Sequence, residues 1–135
     1  MQRILSDHDV QGHVRRLMDI CQMPPWVDLW RELECVLCTF EEFDLSATAS
    51  DAVIWQTCQD HGILLLTGNR NAESPESLEM TIRQRNNLGC LPVLTLADPD
   101  RIQRDRESAE SIVERLFDIL IDPDALRGAG RLYLP

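Results

Sequence analysis

Apolar positions recur at helical spacing in two segments near the start of the chain. In the first segment they fall at i, i+3, i+4 and i+7, which predicts a helix with one buried face: Val14, Leu17, Met18 and Cys21. Pro24-Pro25 ends this helix. A second helix is predicted from Trp26, with Leu29, Trp30, Leu33 and Leu37 on the same face. It ends within residues 39–43, a stretch that also allows a short strand.

Three short apolar runs predict buried strands, at residues 3–6, 63–66 and 92–96. The second run is continuously apolar, which is typical of a parallel strand covered on both faces. Ser50-Asp51 predicts a helix start and Gly62 its end. Another helix is predicted from Ser74-Pro75-Glu76 to about Asn86.

A long helix is predicted after residue 100, from helical spacing of Ala109, Ile112, Val113, Leu116, Phe117 and Leu120. The residues that follow, 122–135, are predicted to form a C-terminal extended tail, either a lid or an edge strand. Strands and helices therefore alternate. We predict a single domain over residues 1–135, a three-layer α/β/α fold with a mainly parallel central sheet.

Charge narrows the classes of function. The net charge is −10, and all 13 of the Lys and Arg residues are arginine. The absence of lysine excludes Schiff-base catalysis, a Walker-type phosphate loop and Ser-Lys hydrolysis. An acidic protein gains no long-range attraction to nucleic acid, so any phosphate must be met by local arginines and a bound cation.

Five cysteines, an odd number, indicate reduced thiols in the cytoplasm rather than a disulfide framework. The chain begins without a recognisable export signal and contains no apolar run long enough for a membrane span, so we expect a cytoplasmic protein without membrane association. The CxxC spacing of Cys35 and Cys38 fits a redox pair or half of a zinc site. Core packing is the favoured interpretation, because no second CxxC is present.

Polar side chains follow all three predicted strands: Asp7 and Asp9 after the first, Thr67 and Asn69 after the second, Asp98 and Asp100 after the third. Ligands of parallel sheets bind beyond the carboxyl ends of the strands. Carboxylates gathered there repel one another unless a cation relieves them, and Mg²⁺ or Mn²⁺ is the usual choice.

Three motifs in this order carry a resemblance to a known family: Leu5-Ser6-Asp7, then Ser50-Asp51-Ala52-x-Ile54-x-x-x-Cys58 with Gly62, then Leu64-Leu65-Leu66-Thr67-x-Asn69. They resemble the PIN domain. More narrowly, the chain is similar to short bacterial PIN-like proteins of uncharacterised function that are related to ribonuclease toxins of toxin-antitoxin pairs. The motifs span about half of the chain.

The resemblance implies a divalent-metal-dependent nuclease that hydrolyses phosphodiester bonds in RNA. Asp7 and Asp51 would hold Mg²⁺ or Mn²⁺ and act in catalysis, and Thr67 would support the site. The family has a further acid two residues after the threonine, where this chain has Asn69. An amide oxygen coordinates Mg²⁺ without adding charge, so the ion is held more weakly.

Other residues are weaker candidates for the same site. Glu41 or Glu42 would supply the acid that the family takes from a middle helix. Arg70 is placed to meet the substrate phosphate. Arg83 and Arg85 would line an approach, although solvated helix charges paired with acids explain them equally well.

Structural roles compete with these assignments. Asp51 is also a good residue for a helix start, and Asn69 and Asn71 suit tight turns. His8 and His13 would fit a transition metal. For the three tryptophans, core or dimer packing is preferred to base stacking: Trp26, Trp30 and Trp55.

Three functions follow from these observations. The leading hypothesis is the metal-dependent nuclease with an RNA substrate. The second is a catalytically degenerate PIN-like module that binds a protein partner or a nucleic acid, and a homodimer is a further hypothesis. The third, a receiver-like signalling domain, is opposed by the missing lysine.

Overall fold

A five-stranded, all-parallel sheet forms the centre of the computed structural model, which describes residues 1–70 and 74–135. The strands are β1 Gln2–Ser6, β2 Cys35–Cys38, β3 Ile63–Thr67, β4 Val93–Leu96 and β5 Arg131–Leu134. Their order across the sheet is β2-β1-β3-β4-β5. The register aligns Leu5 with Cys38 on one side and with Leu65 on the other.

Helices cover both faces of this sheet. They are α1 Gln11–Cys21, α2 Val27–Glu32, α3 Asp51–His61, α4 Leu78–Arg85, α5 Arg101–Arg104 and α6 Arg106–Ile121. Within the described residues, three short 3-10 turns lie at His8–Val10, Glu41–Phe43 and Pro123–Leu126. The predicted three-layer α/β/α fold is confirmed. In the described parts of the chain no helix has the length and apolarity to cross a bilayer.

Alternate residues of the central strands β1 and β3 enter two separate cores. Ile4 and Leu64 pack with α1, α5 and α6 on one face, while Leu5 and Leu65 pack with α3 and α4 on the other. This alternation follows from the two-residue period of a strand. Because both faces are buried, β3 is apolar along most of its length, as predicted for a parallel strand.

The first strand differs from both of its neighbours in the direction of its outgoing connection. β1 leads to α1 on one face, whereas β2 and β3 lead to α3 and α4 on the other face. Chain segments that diverge in this way leave a crevice at the carboxyl ends of the strands. The end of β1 at Ser6 and Asp7 is therefore flanked by a crevice on each side.

The second predicted helix is wrong in its extent. It ends at Glu32, and residues 35–38, including Leu37, form the edge strand β2. Glu34 has a φ of 51°, outside the right-handed helical region, so it separates the two elements. The apolar spacing nevertheless continues through Leu33 to Leu37, which is why the pattern suggested one helix.

Two other boundaries differ from the prediction. α4 starts at Leu78, with the Ser77 side chain accepting the Met80 N–H, so Ser77 and not Ser74 is the N-cap. The last long helical segment is broken at Asp105, which has an extended backbone and caps α6 through Glu107 N–H. A side chain that accepts backbone N–H groups starts a new helix at either place.

Other predictions are confirmed. Ser50 caps α3, and Gly62 ends it with a φ of 67°. The tail contains an edge strand, β5, paired in parallel with β4. Trp55 is buried in the core, and Trp26 and Trp30 pack against the core as partly buried side chains.

The CxxC cysteines are core residues, as favoured from the sequence. Cys35 and Cys38 are buried free thiols. They belong to the cores on opposite faces of the sheet, because an odd separation along a strand reverses the side-chain direction. Two thiols on opposite faces cannot chelate one zinc ion or form a disulfide with each other.

Candidate functional site

Asp7 lies directly after β1, at the carboxyl end of the strand next to the central strand β3, as the sequence predicted. Its side chain is buried, with 8% exposure. Oδ1 accepts the His8 N–H at 2.8 Å, and Oδ2 accepts the Thr67 hydroxyl at 2.9 Å. Hydrogen bonds to both oxygens fix the carboxylate and compensate part of the cost of burying it.

Thr67 joins Asp7 to the loop after β3. The threonine is fully buried, and its hydroxyl donates to Asp7 while accepting the Asn69 N–H at 2.9 Å. A hydroxyl can donate one bond and accept others, so a single side chain fixes both the carboxylate and the loop. The supporting role predicted for Thr67 agrees with these contacts.

The same loop, which follows β3, also contacts Asp51. It occupies the first turn of α3, and its Oδ2 accepts Asn69 Nδ2 at 3.1 Å and the Leu78 N–H at 3.1 Å. Leu78 is the first residue of α4, so the Asp51 carboxylate lies at the N-termini of two helices. Both macrodipoles favour a negative charge there. Asp7 and Asp51 are thus linked through Thr67 and Asn69.

Asp9 also contacts the β3 loop. Its Oδ2 accepts the Gly68 N–H at 3.1 Å. Burial, and secondly the charge of Asp7, raise the pKa of the Asp9 carboxyl. A Cβ at Gly68 would stand 3.1 Å from Asp9 Oδ2 and 3.1 Å from Val10 Cγ1, so the close approach of the two loops depends on the glycine.

Arg131 is a positioning residue that the sequence interpretation missed. It starts β5, its side chain is 7% exposed, and its Nη1 donates to Asn69 O at 2.8 Å and to Thr95 Oγ1 at 2.7 Å. Nε pairs with Glu79 of α4 at 3.1 Å. Arg131 therefore holds the site loop from the far edge of the sheet. No sequence signal marked it, because only the parallel pairing of β5 with β4 brings it near residue 69.

The structure does not bring every predicted acid to the site. Glu42 accepts both the N–H and the hydroxyl of Thr39, which holds it in its own turn. Asp98 pairs with Arg104 at 2.7 Å, and Asp100 contacts His13 at 3.2 Å. These contacts give the acids local structural roles.

The arginines and histidines proposed for the site are also dispersed. Arg83 pairs with Glu79, and Arg85 donates to Gln56. Both lie in the last turn of α4, at the helix end opposite Leu78. Arg70 is exposed in the loop after Asn69, and the predicted turn residue Asn71 lies outside the described residues. His8 contacts Phe40 and His13 contacts Asp100, so the two do not form a common metal site.

The side chains at this end of the sheet provide only a small set of ligands for a hard divalent cation. Within residues 1–70 and 74–135 no cluster of three or more His, Cys, Asp or Glu side chains is arranged to hold a metal. One or two carboxylates and several waters are nevertheless a usual environment for Mg²⁺. Asp7 and Asp51 provide such carboxylates, and the Asn69 side chain lies against Asp51.

Two cavities of about 280 Å³ each open at this edge of the sheet. One lies beside Asp51, between the first turns of α3 and α4, with Ser50 and Ser77 in its wall. The other lies on the opposite side of β1, between α1 and the end of β2, and includes Ser6 and His8. The site is therefore approached from both flanks of Asp7, which itself lines neither cavity.

No protein-family model, curated protein or solved structure matches the chain.

Proposed function

We propose that this chain is a cytoplasmic, PIN-like, divalent-metal-dependent nuclease that hydrolyses phosphodiester bonds in RNA. One observation carries the proposal: the hydrogen-bonded series from Asp7 through Thr67 and Asn69 to Asp51 at the carboxyl edge of the sheet. The residues of the family resemblance, although far apart in sequence, meet in one network.

Asp7 and Asp51 would hold Mg²⁺ or Mn²⁺. When bound, such an ion polarises a phosphoryl oxygen and lowers the pKa of a coordinated water. Thr67 keeps Asp7 in a single orientation, and Arg131 keeps the loop of Asn69 in place. Arg70, exposed on the same loop, supplies a positive charge that a substrate phosphate would meet.

Cleavage of labelled single-stranded RNA tests this function. We expect cleavage with Mn²⁺ or Mg²⁺ and none with EDTA. Asp7→Asn should reduce the rate to that of the EDTA control, whereas Asp118→Asn, an exposed change on α6, should not change it. Purified wild-type protein that cleaves no RNA with either metal would contradict the proposal.

The degenerate module is the second candidate, and a specific contact favours it. Asn69 donates its amide N–H to Asp51, and the N-termini of α3 and α4 also face this carboxylate. These donors stabilise the charge of Asp51 without a cation. On this alternative the protein binds RNA or a protein partner without cutting, and RNA binding without metal-dependent turnover would support it.

A further inference from the structure

The end of β1 is flanked by a crevice on each side, and the crevice on the β2 side forms a cavity. Its walls come from the start of α1 and from the residues that leave β2. Ser6 and His8 both line it, and they flank Asp7 in the chain. On the other side of β1, Asp7 and Asp9 are hydrogen-bonded to the β3 loop.

An exposed aromatic ring is held in a fixed position at this cavity. His8 is exposed, but its ring centroid lies 4.1 Å from that of Phe40, with the two planes tilted by 44°. Phe40 is itself buried, with 5% exposure. His8 Nδ1 also lies 3.3 Å from Gln11 Nε2. Since both contacts restrict the ring, little side-chain entropy remains to be lost when a ligand stacks on it.

The charged groups at the cavity are balanced. Arg15 lies one helical turn after Gln11 on α1, and Glu41 lines the wall that follows β2. One positive and one negative side chain give no net attraction for phosphate. They do offer donors and an acceptor to the polar edge of a neutral ring. The charge balance therefore favours a base over a phosphate group.

We propose that this cavity binds one nucleobase of a single-stranded RNA, stacked on His8 and hydrogen-bonded by polar groups such as Arg15 and Gln11. Single-stranded RNA is commonly recognised by stacking of unpaired bases on aromatic rings and by hydrogen bonds to their edges. A volume of about 280 Å³ is near the lower limit of ligand pockets, which fits one base rather than several. The inference deepens the proposed function and rests on it for the class of substrate.

The position of the cavity relates the base to the reaction. Ser6 and His8, which line the cavity, are the chain neighbours of Asp7, so an RNA strand with one base in the cavity would pass close to the end of β1. The base site would then set which phosphodiester bond reaches the catalytic edge. Positioning of this kind raises the rate by holding the reacting groups in register.

Titration without metal tests the base site independently of cleavage. Wild-type protein in EDTA is titrated with the four nucleoside 5′-monophosphates and with ribose 5-phosphate, and followed by calorimetry and by NMR of the His8 ring. We expect at least one nucleotide to bind and to shift the His8 resonances. Ribose 5-phosphate should bind at least about tenfold more weakly, since base stacking supplies most of the affinity.

Matched variants locate the binding. His8→Ala should weaken nucleotide binding by about tenfold. His61→Ala should not, although His61 also packs on a phenylalanine, Phe43, with ring centroids 4.8 Å apart. His61 lies just before β3, so it is at the amino ends of the strands, whereas the cavity is at their carboxyl ends. Arg15→Gln should also weaken binding, whereas Arg16→Gln, at an exposed neighbouring position that does not line the cavity, should leave it unchanged.

Three outcomes would overturn the base site: no binding of any nucleotide, equal binding of ribose 5-phosphate, or unchanged affinity in His8→Ala. Cleavage of RNA without nucleotide binding would overturn this inference and leave the nuclease proposal in place. Nucleotide binding at His8 in a protein that never cleaves RNA would do the reverse.

Discussion

Asn69 donates its side-chain amide to the Asp51 carboxylate over 3.1 Å. This contact occurs at the position where the PIN-like pattern has an acid. Asp51 Oδ2 receives a second bond from Leu78 N–H, so the carboxylate joins the starts of α3 and α4. An amide at position 69 therefore stabilises the metal-free fold, and it leaves the proposed metal site with one negative charge fewer than an acid would.

Asn69→Asp should destabilise the metal-free protein and strengthen the binding of Mn²⁺. A carboxylate at position 69 would face the Asp51 carboxylate and lose the donated bond, which costs about 1–3 kcal/mol in the free energy of unfolding in EDTA. Mn²⁺ should restore the loss and bind more tightly than to wild type. Thermal unfolding with and without Mn²⁺ measures both effects.

Asn87→Asp provides the control for that substitution. Asn87 is exposed, and it uses Oδ1 to accept the Gly89 N–H, a bond that a carboxylate keeps. Its melting temperature should change little and should not respond to Mn²⁺. If Asn69→Asp is as stable as wild type in EDTA, the contact between positions 69 and 51 does not have the role assigned to it.

Thr67→Val should destabilise the site edge. The change keeps the shape of the buried side chain but removes the bond to Asp7 and the acceptor for Asn69 N–H. We expect a loss of about 1–3 kcal/mol, because buried polar groups are left unsatisfied. Chemical denaturation measures it. Thr67→Ser retains the hydroxyl, so it should lose less stability than Thr67→Val and should preserve Mn²⁺ binding; equal losses in the two variants would contradict the account.

Gly68→Ala should separate the two loops of the site. The new Cβ would stand 3.1 Å from both Asp9 Oδ2 and Val10 Cγ1 and 3.4 Å from Pro99 Cγ. Overpacking of this kind costs about 1–3 kcal/mol. Gly12→Ala in α1 is the matched control, since nothing lies within 4 Å of its Cβ. It should instead stabilise the protein by about 0.5–1 kcal/mol through helix propensity, so the two alanine variants should shift the melting temperature in opposite directions.

The buried thiols should make the fold sensitive to alkaline pH. Burial, and then the charges of Asp7 and Cys38, raise the pKa of Cys58 from 9.0 to about 12. Burial, with a smaller effect of Cys35, raises that of Cys21 to about 12. Above pH 9 the unfolded chain releases these protons while the folded chain retains them. Unfolding is therefore favoured increasingly between pH 9 and 12, by at most about 1.4 kcal/mol per pH unit for each thiol.

Two measurements test whether Cys21 and Cys58 are buried and have raised pKa values. Chemical denaturation at increasing pH should show a falling free energy of unfolding from about pH 9 upward. At pH 8 a thiol reagent should modify Cys21 and Cys58 only after the protein is unfolded. Rapid modification of both in the native protein would show that they are not buried as described.

Much of the fold could be predicted because each central element carries a strong local signal. The apolar run of β3 and the Ser50 and Gly62 boundaries of α3 are properties of neighbouring residues. The acids and amides at strand ends could also be placed together from the sequence, because the carboxyl ends of parallel strands lie at the same end of the sheet.

The missed features depend on long-range contacts or on ambiguous short segments. β2 has only four residues, and its Val36 and Leu37 are partly exposed, so nothing in its pattern separated it from the helix before it. The cavity lined by His8 and Phe40 was missed for this reason, because one of its walls follows β2. Arg131 meets Asn69 only through the pairing of β5, a contact 62 residues apart in sequence.

Calorimetric titration with Mn²⁺ tests most directly whether Asp7 and Asp51 hold one cation. Wild-type protein should bind a single Mn²⁺ per chain, Asp7→Asn and Asp51→Asn should each lose this binding, and Asp118→Asn should retain it. If wild type binds no Mn²⁺, or if the Asp7 and Asp51 variants bind it as tightly as wild type, the two carboxylates do not form a metal site.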